Sequence, residues 1–105
     1  MRKNEYLALV AMEECAEIQQ ALSKAIRFGF DDHHPSRADE TNEEQLLTEF
    51  YQLTAMIEEM QNKGIIAGFT QEKIEKVKND KIEKVYKYMD YSEEKGLLEK
   101  SFNSK

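Results

Sequence analysis

Three observations predict an all-α fold, an antiparallel helical bundle whose core is completed by homo-oligomerisation. Chain breakers are few, with four Gly and one Pro in 105 residues, and they cluster. The stretches between them are rich in Leu, Ala, Glu, Gln, Lys and Met, which lose little freedom in a helix. No period-two alternation of the kind a half-buried strand requires runs through any segment. The length fits one domain, residues 1–105, and is too short for two independent cores. With 40% hydrophobic and 34% charged residues the core of one copy is thin, which is why self-association is expected to finish its burial.

The first helix is expected over roughly 3–28 and ends where Gly29 opens a polar segment that runs through Pro35 to Arg37. On a wheel of about 100° per residue, Leu7, Val10, Ala11, Ile18, Ala21, Leu22 and Ala25 share one face. Glu14 falls in the middle of that face and Glu17 at its edge, one turn on, while Glu13 lies further toward solvent.

The second helix is expected over 42–62. Thr41 or Asn42 followed by Glu44 or Gln45 resembles a capping box, and Gly64 and Gly68 mark the far end. Leu46, Leu47, Phe50, Leu53, Thr54 and Ile57 form its apolar face, with Glu49 at the margin beside Leu53 and Met60, and Gln52 one step further out. A third helix over 70–90 starts near Thr70. Its stripe of Ile74, Val77, Ile82, Val85 and Met89 is interrupted by Lys78 and Lys81. Gly96 leaves room for a short fourth helix at 92–100.

Charge narrows the function classes. Fifteen Lys plus Arg against 21 Asp plus Glu give a net charge of -6, which argues against a general nucleic-acid or anionic-membrane binder. No run approaches a membrane span, and the start, Met1 to Glu5, has no apolar signal core, so a cytoplasmic location is expected. One cysteine precludes an internal disulfide and a CxxC metal site. Cys15 follows Glu14 inside a helix, where an acidic neighbour or burial raises a thiol pKa and leaves it inert.

Glu14 is the informative acid. A carboxylate on an apolar helix face is costly unless it is paired or binds a cation. It either pairs with a Lys or Arg of another helix, or converges with Glu17 and with Glu49 of the second helix on a hard divalent cation. Glu58 and Glu59 read as ordinary surface charges.

The string Glu13-Glu14-Cys15-Ala16-Glu17-Ile18 through Phe28-Gly29 resembles the first motif helix of the MazG-like all-α nucleoside triphosphate pyrophosphohydrolases, in particular their short phage-type members. That family carries EExxE on one helix and ExxD on the next. Glu13, Glu14 and Glu17 match the first part, and Asn42 to Leu53, with Glu49 in the glutamate place, is similar to the second. Lys84 to Ser92 also looks like the family's C-terminal helix, so the resemblance runs from about Tyr6 to Leu98. One position departs: the family's Asp is Gln52 here, an amide whose oxygen can still ligate but brings no charge.

The resemblance implies hydrolysis of a nucleoside triphosphate to a monophosphate and pyrophosphate, with Mg²⁺, or Mn²⁺ in its place, as cofactor. It implies Glu14, Glu17, Glu49 and Gln52 as metal ligands, and Glu13 as a supporting or water-orienting acid, in a homo-oligomer that is a dimer or tetramer. Lys24 and Arg27, two and three turns beyond Glu17, would neutralise phosphate, or else are surface cations near a helix C-terminus. The alternative, favoured by Gln52, is a catalytically weak or inactive helical module that binds a nucleotide or a protein on the same scaffold. His33 and His34 read as a solvated loop, with a place in a nucleotide pocket left open. Phe28, Phe30, Tyr51 and Phe69 are base-stacking candidates or core.

Overall fold

The computed structural model describes residues 1–102 and is all-helical: α1 (Lys3–Phe28), α2 (Asn42–Asn62) and α3 (Gln71–Glu94), with no strand among the described residues. The chain divides into two compact units, Met1–Ala67 and the segment from Gly68 onward.

In the first unit α1 and α2 form an antiparallel hairpin. Asn42 at the start of α2 donates from Nδ2 to the Gly29 carbonyl at the end of α1, 2.8 Å away, and the helices then run back from that corner side by side. The corner is fixed by backbone as well. Asn42 N–H donates to the Asp32 carbonyl at 2.7 Å and Glu43 N–H to the Phe30 carbonyl at 3.1 Å. The expected capping box is present: Glu44 N–H donates to Thr41 Oγ1 at 3.2 Å, and Thr41 N–H donates back to Glu44 Oε1 at 3.1 Å. Such a cap contributes about 1 kcal/mol. With these bonds the first amides of α2, which have no partner inside the helix, are all satisfied.

The interface is built from small residues. Ala11, Ala21 and Ala25 of α1 are buried, and their size lets α2 approach closely. The stripe that α2 turns inward is Asn42, Leu46, Glu49, Leu53, Met56 and Met60, spaced four and three residues apart, with Asn42, Glu49 and Met60 buried. This corrects the wheel drawn from sequence. Glu49 lies within the buried stripe, not at its margin, and Leu47, Phe50 and Ile57 form a second apolar strip that remains exposed. α2 is apolar on two sides, and the strip carrying the carboxylate is the one that faces α1.

α2 and α3 end in the same way. Gly64 and Gly96 take φ of 72° and 75°, and the next residue reaches back five positions: Ile65 N–H to the Met60 carbonyl and Leu97 N–H to the Ser92 carbonyl, each at 2.9 Å. That is the Schellman stop, which uses glycine because a side chain is strained at positive φ.

In the second unit, Thr70 Oγ1 accepts from Lys73 N–H at 3.1 Å and starts α3. α3 continues to Glu94, four residues past the expected end, because nothing in Tyr91-Ser92-Glu93-Glu94 breaks a helix before Gly96. Turns and bends occupy 95–101, where a short fourth helix was expected. No α3 residue is fully buried, and Val77, Ile82 and Val85 of its apolar stripe are exposed. Phe102 folds back to set its ring edge-on to Tyr86, centroids 6.2 Å apart. Among the described residues no helix is long and apolar enough to cross a membrane.

Candidate metal centre

Antiparallel packing brings Glu14 and Glu17 of α1 against Glu49 of α2. One oxygen from each carboxylate lies within 4.8 Å of the other two. The three differ in exposure: Glu49 is buried, Glu14 half-buried and Glu17 exposed, so the cluster grades from the helix interface out to solvent. The i, i+3 spacing of Glu14 and Glu17 places both on one side of α1. The inward stripe of α2 supplies Glu49.

Three carboxylates at this separation repel, and the proton affinities of Glu49 and Glu14 respond. The Glu49 carboxyl is pushed up to about 7, first by sharing a hydrogen bond with Glu17, then by burial and by the charges of Glu17 and Glu14. Glu14 is also raised, mainly by burial and then by the charge of Glu17, with Glu13 adding a smaller repulsion. Among the described residues no Lys or Arg forms an ion pair with Glu14, and none figures among the causes of its shift.

Two atoms stand out. Glu14 Oε2 and Glu49 Oε2 are buried without a hydrogen-bond partner. An unsatisfied buried polar atom costs on the order of 1–3 kcal/mol, more when charged. A divalent cation would satisfy both at once and reverse the repulsion. The donor set suits one, because carboxylate oxygens are the ligands hard cations take.

Glu49 is held by a relay that sequence reading did not identify. Gln45, one turn earlier on α2, donates from Nε2 to Glu49 Oε1 at 2.5 Å, and its own Oε1 accepts from Arg37 Nη1 at 3.0 Å. Arg37 thereby acts on Glu49 through the amide. The Gln45 bond favours the charged carboxylate and opposes the upward shift. It also leaves Oε2 as the atom of Glu49 still to be coordinated. Partners that orient a ligand in this way hold metal sites in shape. The only signal in the sequence was the i, i+4 spacing of Gln45 and Glu49.

Of the acids predicted for the site, Glu13 is the one outside this carboxylate cluster. Glu13 is exposed beside Glu14, and Gln52 is exposed one turn beyond Glu49. Lys24 and Arg27 lie further along α1 and line a cavity of about 490 Å³ with Phe28, His33 and His34. The histidines thus flank the two cations expected to meet phosphate. Cys15 is exposed.

No family model matches the chain, and neither a curated protein nor a solved structure matches it.

Proposed function

We propose that the chain is a Mg²⁺-dependent nucleoside triphosphate pyrophosphohydrolase, similar to the MazG-like enzymes in its motif residues and acting as a homo-oligomer. The observation that carries this reading is the pair of buried, unpartnered oxygens, Glu14 Oε2 and Glu49 Oε2, inside a three-carboxylate cluster. A structural carboxylate would be expected to find a cation or a donor, and a site for a divalent ion explains why these do not.

Glu14, Glu17 and Glu49 would hold the cation, with the Gln52 carbonyl as a fourth ligand. When bound, the ion neutralises phosphate oxygens and polarises water. Glu13, on the solvent side of Glu14, orients the attacking water. Water adds to the α-phosphorus, the bond from that phosphorus to the bridging oxygen breaks, and pyrophosphate leaves with a monophosphate as the other product. Lys24 and Arg27 offset phosphate charge that the acidic helices would otherwise repel. The exposed strip of Leu47, Phe50 and Ile57 supports assembly, since a second copy would remove it from water.

Purified protein given Mg²⁺ and a panel of nucleoside triphosphates should release pyrophosphate, and Glu17→Ala should abolish the release. Absence of release from every nucleotide by folded, cation-loaded protein removes the enzymatic reading. A second reading, a weak or silent nucleotide-binding or protein-binding module, is favoured by the neutral Gln52. Gln52→Asp separates the two: a large gain of activity marks a degraded natural site, and no change in an active enzyme shows that the amide suffices.

A further inference from the structure

The charge of the first unit is unevenly placed. Residues 1–67 contain six Lys or Arg and thirteen Asp or Glu, yet one cavity of about 490 Å³ gathers Lys24, Arg27 and both histidines of the chain, with Asp32 as the acid on its wall. It is formed by the last turn of α1 and the segment that leads toward Pro35, with Asn42 at its floor. We propose that this cavity is a phosphoryl-anion site that works without the divalent cation, built from Lys24, Arg27 and His34.

Each group is committed in a way that leaves a donor for a ligand. Ser36 N–H donates to His34 Nδ1 at 3.1 Å, so that nitrogen is an acceptor and the neutral ring carries its proton on Nε2. Ser36 Oγ, 2.7 Å from the same Nδ1, holds the ring in place. Nε2–H is therefore the uncommitted donor of His34. His33 is held in the opposite tautomer, because its Nδ1 faces the His34 carbonyl at 3.0 Å and must donate to it. The Arg27 guanidinium lies over the Phe28 ring, 4.9 Å from its centroid, a contact that uses the face of the group and not its N–H donors. Lys24 is half-buried and contributes a point charge.

Two simpler explanations fall short. The negative end of the α1 dipole attracts cations and accounts for Lys24 and Arg27, but not for two oriented imidazoles beside them. The start of α2 does not supply the anion site either, because Asp32, Phe30 and Thr41 already take the amides of Asn42, Glu43 and Glu44. The donors offered to the ligand are therefore the side chains that line the cavity. Lys24 lies seven residues beyond Glu17, about 10 Å along the helix, so the cavity is separate from the carboxylate cluster. The ligand class is a phosphoryl group, either the end of a bound nucleotide or free pyrophosphate or phosphate. The choice of phosphate rests on the proposed function, but the binding itself does not require hydrolysis or Mg²⁺.

The test is a titration of the full chain in EDTA with pyrophosphate, inorganic phosphate and a nucleoside triphosphate, followed by NMR of backbone amides and imidazole protons. Saturable shifts centred on His34, Gly29 and Asn42 are expected, unchanged in Glu17→Ala and weakened at least tenfold in Arg27→Gln and in Lys24→Ala. Tighter binding of the nucleotide than of pyrophosphate identifies a nucleotide end, and equal or tighter binding of pyrophosphate identifies the free anion. Both support the site. Shifts scattered over the lysines of α3, binding that appears only when Mg²⁺ is added, or affinity unchanged in Arg27→Gln would overturn it. Failure of hydrolysis with this binding intact would remove only the enzymatic reading.

Discussion

Glu14 and Glu49 face each other across the α1–α2 interface, each with Oε2 buried and unpartnered, and each carboxyl shifted toward its protonated form. Without a cation the two helices are held together against this repulsion by alanine packing and by the bonded corner at Asn42. The acids therefore bear on stability and on ion binding with opposite sign.

Glu49→Gln separates those effects. The amide keeps the shape of the side chain and removes one of three like charges, while its N–H donors can meet the Glu14 and Glu17 oxygens. Metal-free protein should become more stable by on the order of 1–3 kcal/mol near neutral pH. Mg²⁺ affinity should fall at least tenfold, and pyrophosphate release should be lost. Denaturation in EDTA and calorimetric Mg²⁺ titration read the two halves. A variant less stable than the parent in EDTA would contradict the repulsive account.

The pH dependence follows from the same shift. Glu49 titrates near 7 in the folded chain against an ordinary value of 4.5, so between those values the folded state holds a proton that the unfolded state has released. The pair's contribution is fully present below the lower value and is lost as pH rises through the upper one. In EDTA, melting temperature should drop between about pH 5 and pH 8, by the equivalent of about 1–3 kcal/mol after allowance for screening at the exposed Glu17. Saturating Mg²⁺ should erase or invert that fall, since the deprotonated cluster is the form that binds. Scans at both pH values, with and without the ion, check it.

The Arg37–Gln45 relay should matter at a distance. Gln45→Leu removes the bond that favours the Glu49 carboxylate, so that carboxyl should titrate still higher and Mg²⁺ should bind about tenfold more weakly. Carboxyl-carbon NMR of Glu49 measures the first effect and calorimetry the second. An unchanged Glu49 titration would show that the relay only supports the loop.

Phe50 tests assembly. It is half-exposed on the second apolar strip of α2, its ring edge-on to Tyr51 with centroids 5.0 Å apart. If a second copy covers that strip, Phe50→Glu should shift the protein to monomer in sedimentation experiments while leaving helicity near that of the parent. A sedimentation profile unchanged by the substitution would place the contact elsewhere.

The helices were legible because their boundaries are chemical: Thr41 and Thr70 cap, and Gly29 and Gly64 stop. The end of α3 was misjudged where no breaker stood. The fold class and the convergence of Glu14 with Glu17 followed from period and spacing. The depth of Glu49 did not, because α2 is apolar on two sides and periodicity cannot say which side meets α1. Arg37, Gln45 and the imidazole orientations were not legible either, since each depends on a loop whose path is set by bonds to Asn42 and Ser36.

The most direct measurement of the central claim is phosphorus NMR of a nucleoside triphosphate incubated with the protein and Mg²⁺. The proposed function predicts resonances of pyrophosphate and a monophosphate growing together, and neither with Glu17→Ala. Diphosphate with orthophosphate, or an unchanged triphosphate over folded and cation-bound protein, would contradict it.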